Sequence, residues 1–302
     1  MSGLAGFLFL VLILGASFAR GVGERRAERQ TWAAKGREKA LAAGASSYAA
    51  LVRSRMKDMV LPTLWLAPAT TPGASRLGGT SDLPAGADWP MGEKRPREFL
   101  ALIDLAEIRT AGGPSWLPAA GRIHAFYDGE RQGCADLVKL IYTDEPSARE
   151  RFQPRVPYPE RFLSFLPAQS LPSLDWLNVD PREIADDPDE AAWAPFAEIE
   201  RRPVPRDAPE HRIGGYPSEI QPARMPLECE HLARGLDPPN YRAQTDPAIE
   251  RAATTWRLLL QIDSDDELKM NWVDGGRLYI FIREDDARGG DFAKTVTLSQ
   301  FY

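Results

Sequence analysis

Short apolar runs punctuate the chain between glycine-, proline- and aspartate-rich stretches, and they come in the same order twice. "FLALIDL" (Phe99 to Leu105) and "WRLLLQID" (Trp256 to Asp263) are nearly continuous apolar runs that both reach Ile-Asp. Runs this short, rich in leucine, isoleucine and aromatic residues and bounded by turn formers, predict strands covered on both faces. "GRIHAFYD" (Gly121 to Asp128) and "GRLYIFIR" (Gly276 to Arg283) follow, sharing Gly-Arg-aliphatic-x-x-Phe. In the second of these, alternation sets Leu278, Ile280 and Ile282 on a core face and Arg277, Tyr279, Phe281 and Arg283 on an amphipathic one. A further strand-like run closes each set, at Ala135 to Tyr142 and at Lys294 to Tyr302.

Each set opens on the same turn, "RLGG" at Arg76 to Gly79 and "RIGG" at Arg212 to Gly215. A few-stranded unit leaves an apolar face uncovered, and a second copy packed against it covers both. The expectation is a mainly β (α+β) fold of pseudo-duplicated antiparallel sheets packed as a roll or sandwich, with peripheral helices. Repeat one runs from about 61 to 142 and repeat two from 210 to 302. A proline-broken irregular connector, 143–209, joins them, with one helix expected over Asp186 to Arg202. The second repeat also carries a long insertion before Trp256, read as surface loop plus helix.

The amino end reads differently. Leu4 to Ala19 is 16 uncharged residues, about 24 Å of helix at about 1.5 Å per residue, and Arg20 can snorkel to extend it. Basic residues follow this run rather than precede it, which predicts a single-pass transmembrane anchor, 1–22, in the inner (cytoplasmic) membrane with the body facing the cytoplasm. The alternative is export after signal-peptide cleavage at Ser17-Phe18-Ala19. Residues 23–60, rich in Ala, Arg, Glu and Lys, predict a helical spacer broken near Gly36 or Gly44.

Composition narrows the chemistry. At 43% hydrophobic and 26% charged the chain is an ordinary globular one, and its net charge of -6 offers no basic field for nucleic acid. The two cysteines, Cys134 and Cys229, make neither a disulfide framework nor a metal knuckle. "ECEH" (Glu228 to His231) lacks a second donor cluster, and "DSDDELKMNWVD" (Asp263 to Asp274) has leucine where a calcium loop needs glycine, so no metal is assigned. No phosphate loop, nucleophile elbow or zinc-protease motif occurs, and no cofactor is expected.

The set "RLGG...DLP....WP", "FLALIDL", "HRIGGYPSEIQ", "LLLQIDSDDELKMNWVDGGRLYIFI" and the closing "DF......SQFY" resembles the YwqG-like family, the bacterial domain of unknown function DUF1963, over about 61–302. The resemblance implies a mainly β fold with a duplicated arrangement and brings no catalytic residues or cofactor. Thr80-Ser81 and Val273 depart from its usual pattern, and the membrane anchor is an addition to it.

The functional expectation is a membrane-tethered, non-catalytic binding or protein-interaction module, bound to the membrane through Leu4 to Ala19 and to an unknown protein or small-molecule ligand. An enzyme acting on a small metabolite between the two repeats, and an immunity-type partner of a toxin, are the alternatives. The binding candidates are His211, Arg212, Gly214, Gly215, Asp263 and Arg277, with first-repeat counterparts Arg76, Gly78, Gly79, Asp104 and Arg122; a groove would lie near the two glycine turns. Arg76 and Arg212 either clamp an anion or pair with a nearby acid such as Asp82 or Glu219.

Overall fold

The computed structural model describes residues 28, 31–84, 86–130, 135–144, 156–184, 190–238 and 245–302. The chain divides into two units. One is built from Met1–Met59 and Val179–Ala194. In it residues 31–42 are helical and the break falls at Gly44, which takes φ 67°, so Gly36 stays inside the helix. The second helix, Tyr48–Asp58, starts at Ser47, whose Oγ accepts the Ala50 N–H. Lys39 reaches Glu183 at 2.6 Å, tying the first helix to the 3₁₀ turn Pro181–Glu183. Among the described residues no helix is long and apolar enough to cross a membrane. The run Leu4 to Ala19 lies outside the described residues.

The other unit, Val60–Asn178 with Pro195–Tyr302, is one ten-stranded antiparallel sheet curled into a nearly closed barrel. Its strands are β1 (Leu61–Pro68), β2 (Arg76–Leu77), β3 (Glu98–Asp104), β4 (Arg122–Tyr127), β5 (Val138–Thr143), β6 (Arg161–Ser170), β7 (Arg212–Gly214), β8 (Trp256–Asp263), β9 (Arg277–Arg283) and β10 (Val296–Gln300). They lie in the order β10-β9-β8-β7-β1-β6-β2-β3-β4-β5. The end strands approach each other at Thr297, whose N–H donates to Ala135 O and whose Oγ1 accepts from Val138 N–H.

This order corrects the expected pair of packed sheets. Each half of the chain supplies five strands, and the two first strands are exchanged: β1 pairs with β7 of the second half, β6 with β2 of the first. β1 and β6 pair with each other over eight residues, Leu61 opposite Ser170 through Pro68 opposite Leu163, and this weld makes one sheet of two. The segment read as an irregular connector, 143–209, therefore holds a full strand of the barrel and the short helix Ala194–Ile199.

The duplication holds down to single bonds. β3 and β8 each carry a bulge at the same place, between Phe99 and Ala101 and between Leu258 and Leu260. Leu163 N–H donates to Ser75 O at 3.1 Å, and Leu66 N–H donates to His211 O at 3.0 Å. The inner faces of all the longer strands form one core, with Leu64, Ile103, Ile123, Leu140, Leu260, Leu278 and Ile280 among its residues. Each half also plugs the core with its third connection: Leu105, Ile108 and Leu117 from the first, Leu268, Met270 and Trp272 from the second. β3 and β8 run in opposite directions in the antiparallel order, so the plugs enter opposite ends of the barrel.

The outer face of the second half, with Arg277 and Arg283 at its ends, is covered along its aromatic middle. Tyr279 and Phe281 are fully buried with Met225, Cys229, Trp256 and Leu258, beneath the helix Met225–Ala233 from the insertion. On the first half a loop covers the same face, Trp89 lying edge-on to Phe126 at 5.0 Å.

Val273, the β-branched departure from the family pattern, sits in the β8–β9 turn at φ 64° and is 47% exposed. Left-handed backbone costs an L-residue about 1–2 kcal/mol, least for Gly or Asn. Val273→Asn is expected to raise stability by about 1 kcal/mol in urea titration; an unchanged midpoint would show that the turn is not strained.

Candidate functional site

Both glycine pairs adopt left-handed backbone: φ is 63° and 72° at Gly78 and Gly79, and 69° and 71° at Gly214 and Gly215. The chain thus reverses at the end of β2 and of β7, and the arginine two residues before each glycine pair holds the segment that follows the turn. Arg76 Nη2 donates to Thr80 O at 2.7 Å and to Asp82 Oδ1 at 2.5 Å. Arg212 donates to Tyr216 O at 3.1 Å and to Ser218 Oγ at 2.5 Å. Partners four and six residues on are the same in both copies, so each arginine is a staple across its own turn. Asp82 is the acid expected for Arg76; for Arg212 the partners are Ser218 and Glu210 rather than Glu219.

The Ile-Asp aspartates match as well. Asp104 pairs with Arg122 across β3–β4 at 3.3 Å, and Asp263 with Arg277 across β8–β9 at 3.0 Å. The backbone N–H of each aspartate donates to the residue before the stapling arginine: Asp104 to Ser75 Oγ at 2.9 Å, Asp263 to His211 Nδ1 at 3.1 Å. Because Nδ1 accepts, the His211 proton is on Nε2, which donates to Asp265 Oδ2 at 3.1 Å. Burial pushes the Asp265 carboxyl upward, but the hydrogen bonds from His211 and Arg161 outweigh it and hold the group well below the usual carboxylate range.

The second copy is the more polar one, and sequence reasoning missed much of it. Glu210 takes Arg202 at 2.8 Å, Arg212 at 3.2 Å and Arg277 at 3.4 Å. Against burial, the Ser218 hydroxyl and these three cations keep its carboxyl low. Ser218 is the hub: its N–H donates to Gln261 Oε1, and its carbonyl accepts from Arg277 Nη1 and Tyr279 Oη. Arg212 and Arg202 stack on Trp65 at 4.3 and 5.1 Å. Burial lowers Arg212 to about 10, which leaves it protonated at neutral pH. One signal for Ser218 was available, since it stands six residues after its arginine as Asp82 does.

The five second-copy side-chain and turn positions His211, Arg212, Gly214, Asp263 and Arg277 thus converge on β7–β9, with Gly215 at the turn's end. The first-copy set, Arg76 with Gly78 and Gly79 and Asp104 with Arg122, is joined across β2–β4 through the Asp104 bond to Ser75 and lacks a counterpart of Glu210 bridging the two arginines. The two turns do not share a groove. Gly214 backs onto Pro62, the β6 partner of which is Gln169, whereas Gly78 backs onto Pro159. Ten residues separate Pro159 from Gln169, about 33 Å of extended chain at about 3.3 Å per residue. Nor do these side chains line two of this unit's clefts. One of about 600 Å³ is bounded by Thr255, Arg257, Arg283, Glu284, Arg288 and Lys294, and one of about 380 Å³ by Ala106, Glu107, Leu163 and Phe165.

Other sequence features are accounted for locally. Glu230 of "ECEH" accepts from Trp256 Nε1 at 2.9 Å, Arg283 at 2.8 Å and Arg234 at 2.7 Å, fastening its helix to β8 and β9. His124, opposite Leu102 and Ile141 on β4, is pushed down to about 4, chiefly by burial, and its Nδ1 lies 3.3 Å from Ser81 Oγ.

The family described as domain of unknown function DUF1963 matches residues 75–300. The chain belongs to the DUF1963 family. No curated protein matches it. The DUF1963 match spans both glycine turns and all eleven candidates named from the sequence. It begins after β1.

Within the stretch "HRIGGYPSEIQ", burial pushes the Glu219 carboxyl up to about 7, with Asp175 and Glu228 adding to the rise against a Ser173 hydrogen bond. Its Oε1 is buried without a partner. The folded state therefore holds this proton more tightly than the unfolded chain, and stability falls as pH rises from about 4.5 to about 7, by up to about 3 kcal/mol. Glu219→Gln is expected to abolish that fall, leaving the variant more stable than the parent at pH 8 and equal near pH 4. Parallel denaturation curves for the two proteins across this range would refute it.

Proposed function

We propose that this DUF1963 chain is a membrane-tethered, non-catalytic binding or interaction module, anchored through Leu4 to Ala19 with its barrel on the cytoplasmic face. The observation that carries the non-catalytic reading is the fate of the motif side chains. Arg76, Arg212, His211, Asp104, Asp263 and Arg277 are each spent on an internal turn, strand pair or backbone group. A general base or nucleophile must reach a proton or an electrophile on the substrate. Here Asp265 is committed to Arg161 and His211 with its basicity suppressed, and His211 uses both ring nitrogens. The polar residues hold the scaffold, and partners are left to its outer surface.

The chain incubated with a metabolite extract and followed by mass spectrometry should consume nothing catalytically. Turnover of any metabolite that disappears with Asp265→Asn, in a variant still folded by circular dichroism, would sink the reading in favour of an enzyme. The address is tested separately. A reporter fused after Tyr302 that works only in the cytoplasm should be active, and activity of a periplasm-dependent reporter would reverse the orientation.

A further inference from the structure

The strand exchange makes each half of the barrel unit incomplete by itself. Without β6, β2 keeps only β3 as a neighbour; without β1, β7 keeps only β8, which it meets at the single pair Arg212 and Gln261. β2 and β7 are two and three residues long, and they carry the two glycine turns. Strands this short cannot hold an edge unaided. What holds them is the neighbouring strand from the other half: Leu163 N–H to Ser75 O on one side, Leu66 N–H to His211 O on the other. The β1–β6 weld, the shared inner core and the two crossed plugs all join the halves as well.

We infer that the two halves of the barrel unit, 61–144 and 156–178 with 195–302, are mutually completing partners whose association does not depend on the peptide link between them, so that a second copy of the chain offers the same complementary surface. The strand contacts and plugs that join them are reciprocal, as at a two-fold interface where the same patch is used from both sides. The apolar area between them is the core itself, which places the contact with obligate rather than transient interfaces.

The test starts from the full chain with a specific protease site replacing residues 148–152. After complete cleavage the two pieces are expected to co-elute in gel filtration as one species of unchanged size, with a melting temperature within a few degrees of the uncut protein. After denaturant separates them, mixing should restore that species, and amide exchange at Ile213 on the second piece should slow only when the first piece is added. Because Lys39 and Glu183 fall on different pieces, the same cut is made in the K39A/E183A variant, where co-elution is again expected. Separation or aggregation of the pieces after cleavage, in either background, overturns the inference. So does a mixture in which Ile213 stays unprotected.

Discussion

Gly78→Ala is expected to destabilise the protein by about 3 kcal/mol or more, whereas Gly112→Ala costs only about 1–2 kcal/mol. Both glycines hold positive φ, 63° and 77°, so both substitutions carry the left-handed penalty. Only at Gly78 would the added Cβ run into backbone, the carbonyl oxygen of Pro159. At Gly112 nothing lies within 4 Å. The surroundings of Gly78 cannot yield cheaply. Its own N–H donates to Leu100 O at 2.8 Å and that of Gly79 to Tyr158 O at 2.9 Å, so moving Pro159 strips the seam between β2 and the start of β6. Urea denaturation of the two variants decides the matter; equal losses would mean that the turn tolerates a side chain and that conformation alone selects glycine.

Arg212→Ala is expected to cost about 3–5 kcal/mol, the range for removing one member of a buried charge network. The substitution removes the Arg212 hydrogen bonds to Tyr216 O and Ser218 Oγ and takes away the face stacked on Trp65. Arg212→Lys keeps the charge but not a planar fork that serves Tyr216, Ser218 and Glu210 at once, and recovers less than half of the loss. Arg76→Ala should cost less, because Arg76 lies 5.7 Å from Phe99 and has no counterpart of the Arg202 and Arg277 cluster around Glu210. Chemical denaturation with a double-mutant cycle against Ser218→Ala measures the staple. A near-wild-type Arg212→Ala would mean that this arginine is kept for a ligand, contrary to the proposed scaffold role.

The duplicated turn was legible because both copies spell it with the same letters, and Arg76 and Arg212 do the same work with partners at equal spacing. β8 and β9 were legible because an unbroken apolar run and an alternating one leave few other places to go. β6 was not. "RFLSFLPAQS" contains Pro167, Ser164 and Gln169, is only partly buried, and shares no motif with its counterpart β1. The exchange was hidden for a deeper reason. Which apolar strand lies beside which is set by contacts about 100 to 150 residues apart, such as Leu61 with Ser170 and Leu64 with Ile213, and no local pattern encodes them.

The same holds for the polar network. Glu210, Gln261 and Ser218 meet only because β7 and β8 are adjacent, and each alone reads as an ordinary surface residue. Nor does a local pattern show where the two like turns lie: the antiparallel exchange places them in different parts of the sheet.

The place of β1 also bears on where this domain should be said to begin. A boundary drawn at the start of the family match, Ser75, trims what looks like a leader and in fact removes the central stave of the barrel. The damage would surface far from the cut, at His211 and Ile213, where the second copy's turn would hang from one residue pair. For this chain the smallest heritable unit of the fold therefore starts at or before Leu61, and its first eight residues belong, structurally, to the other half.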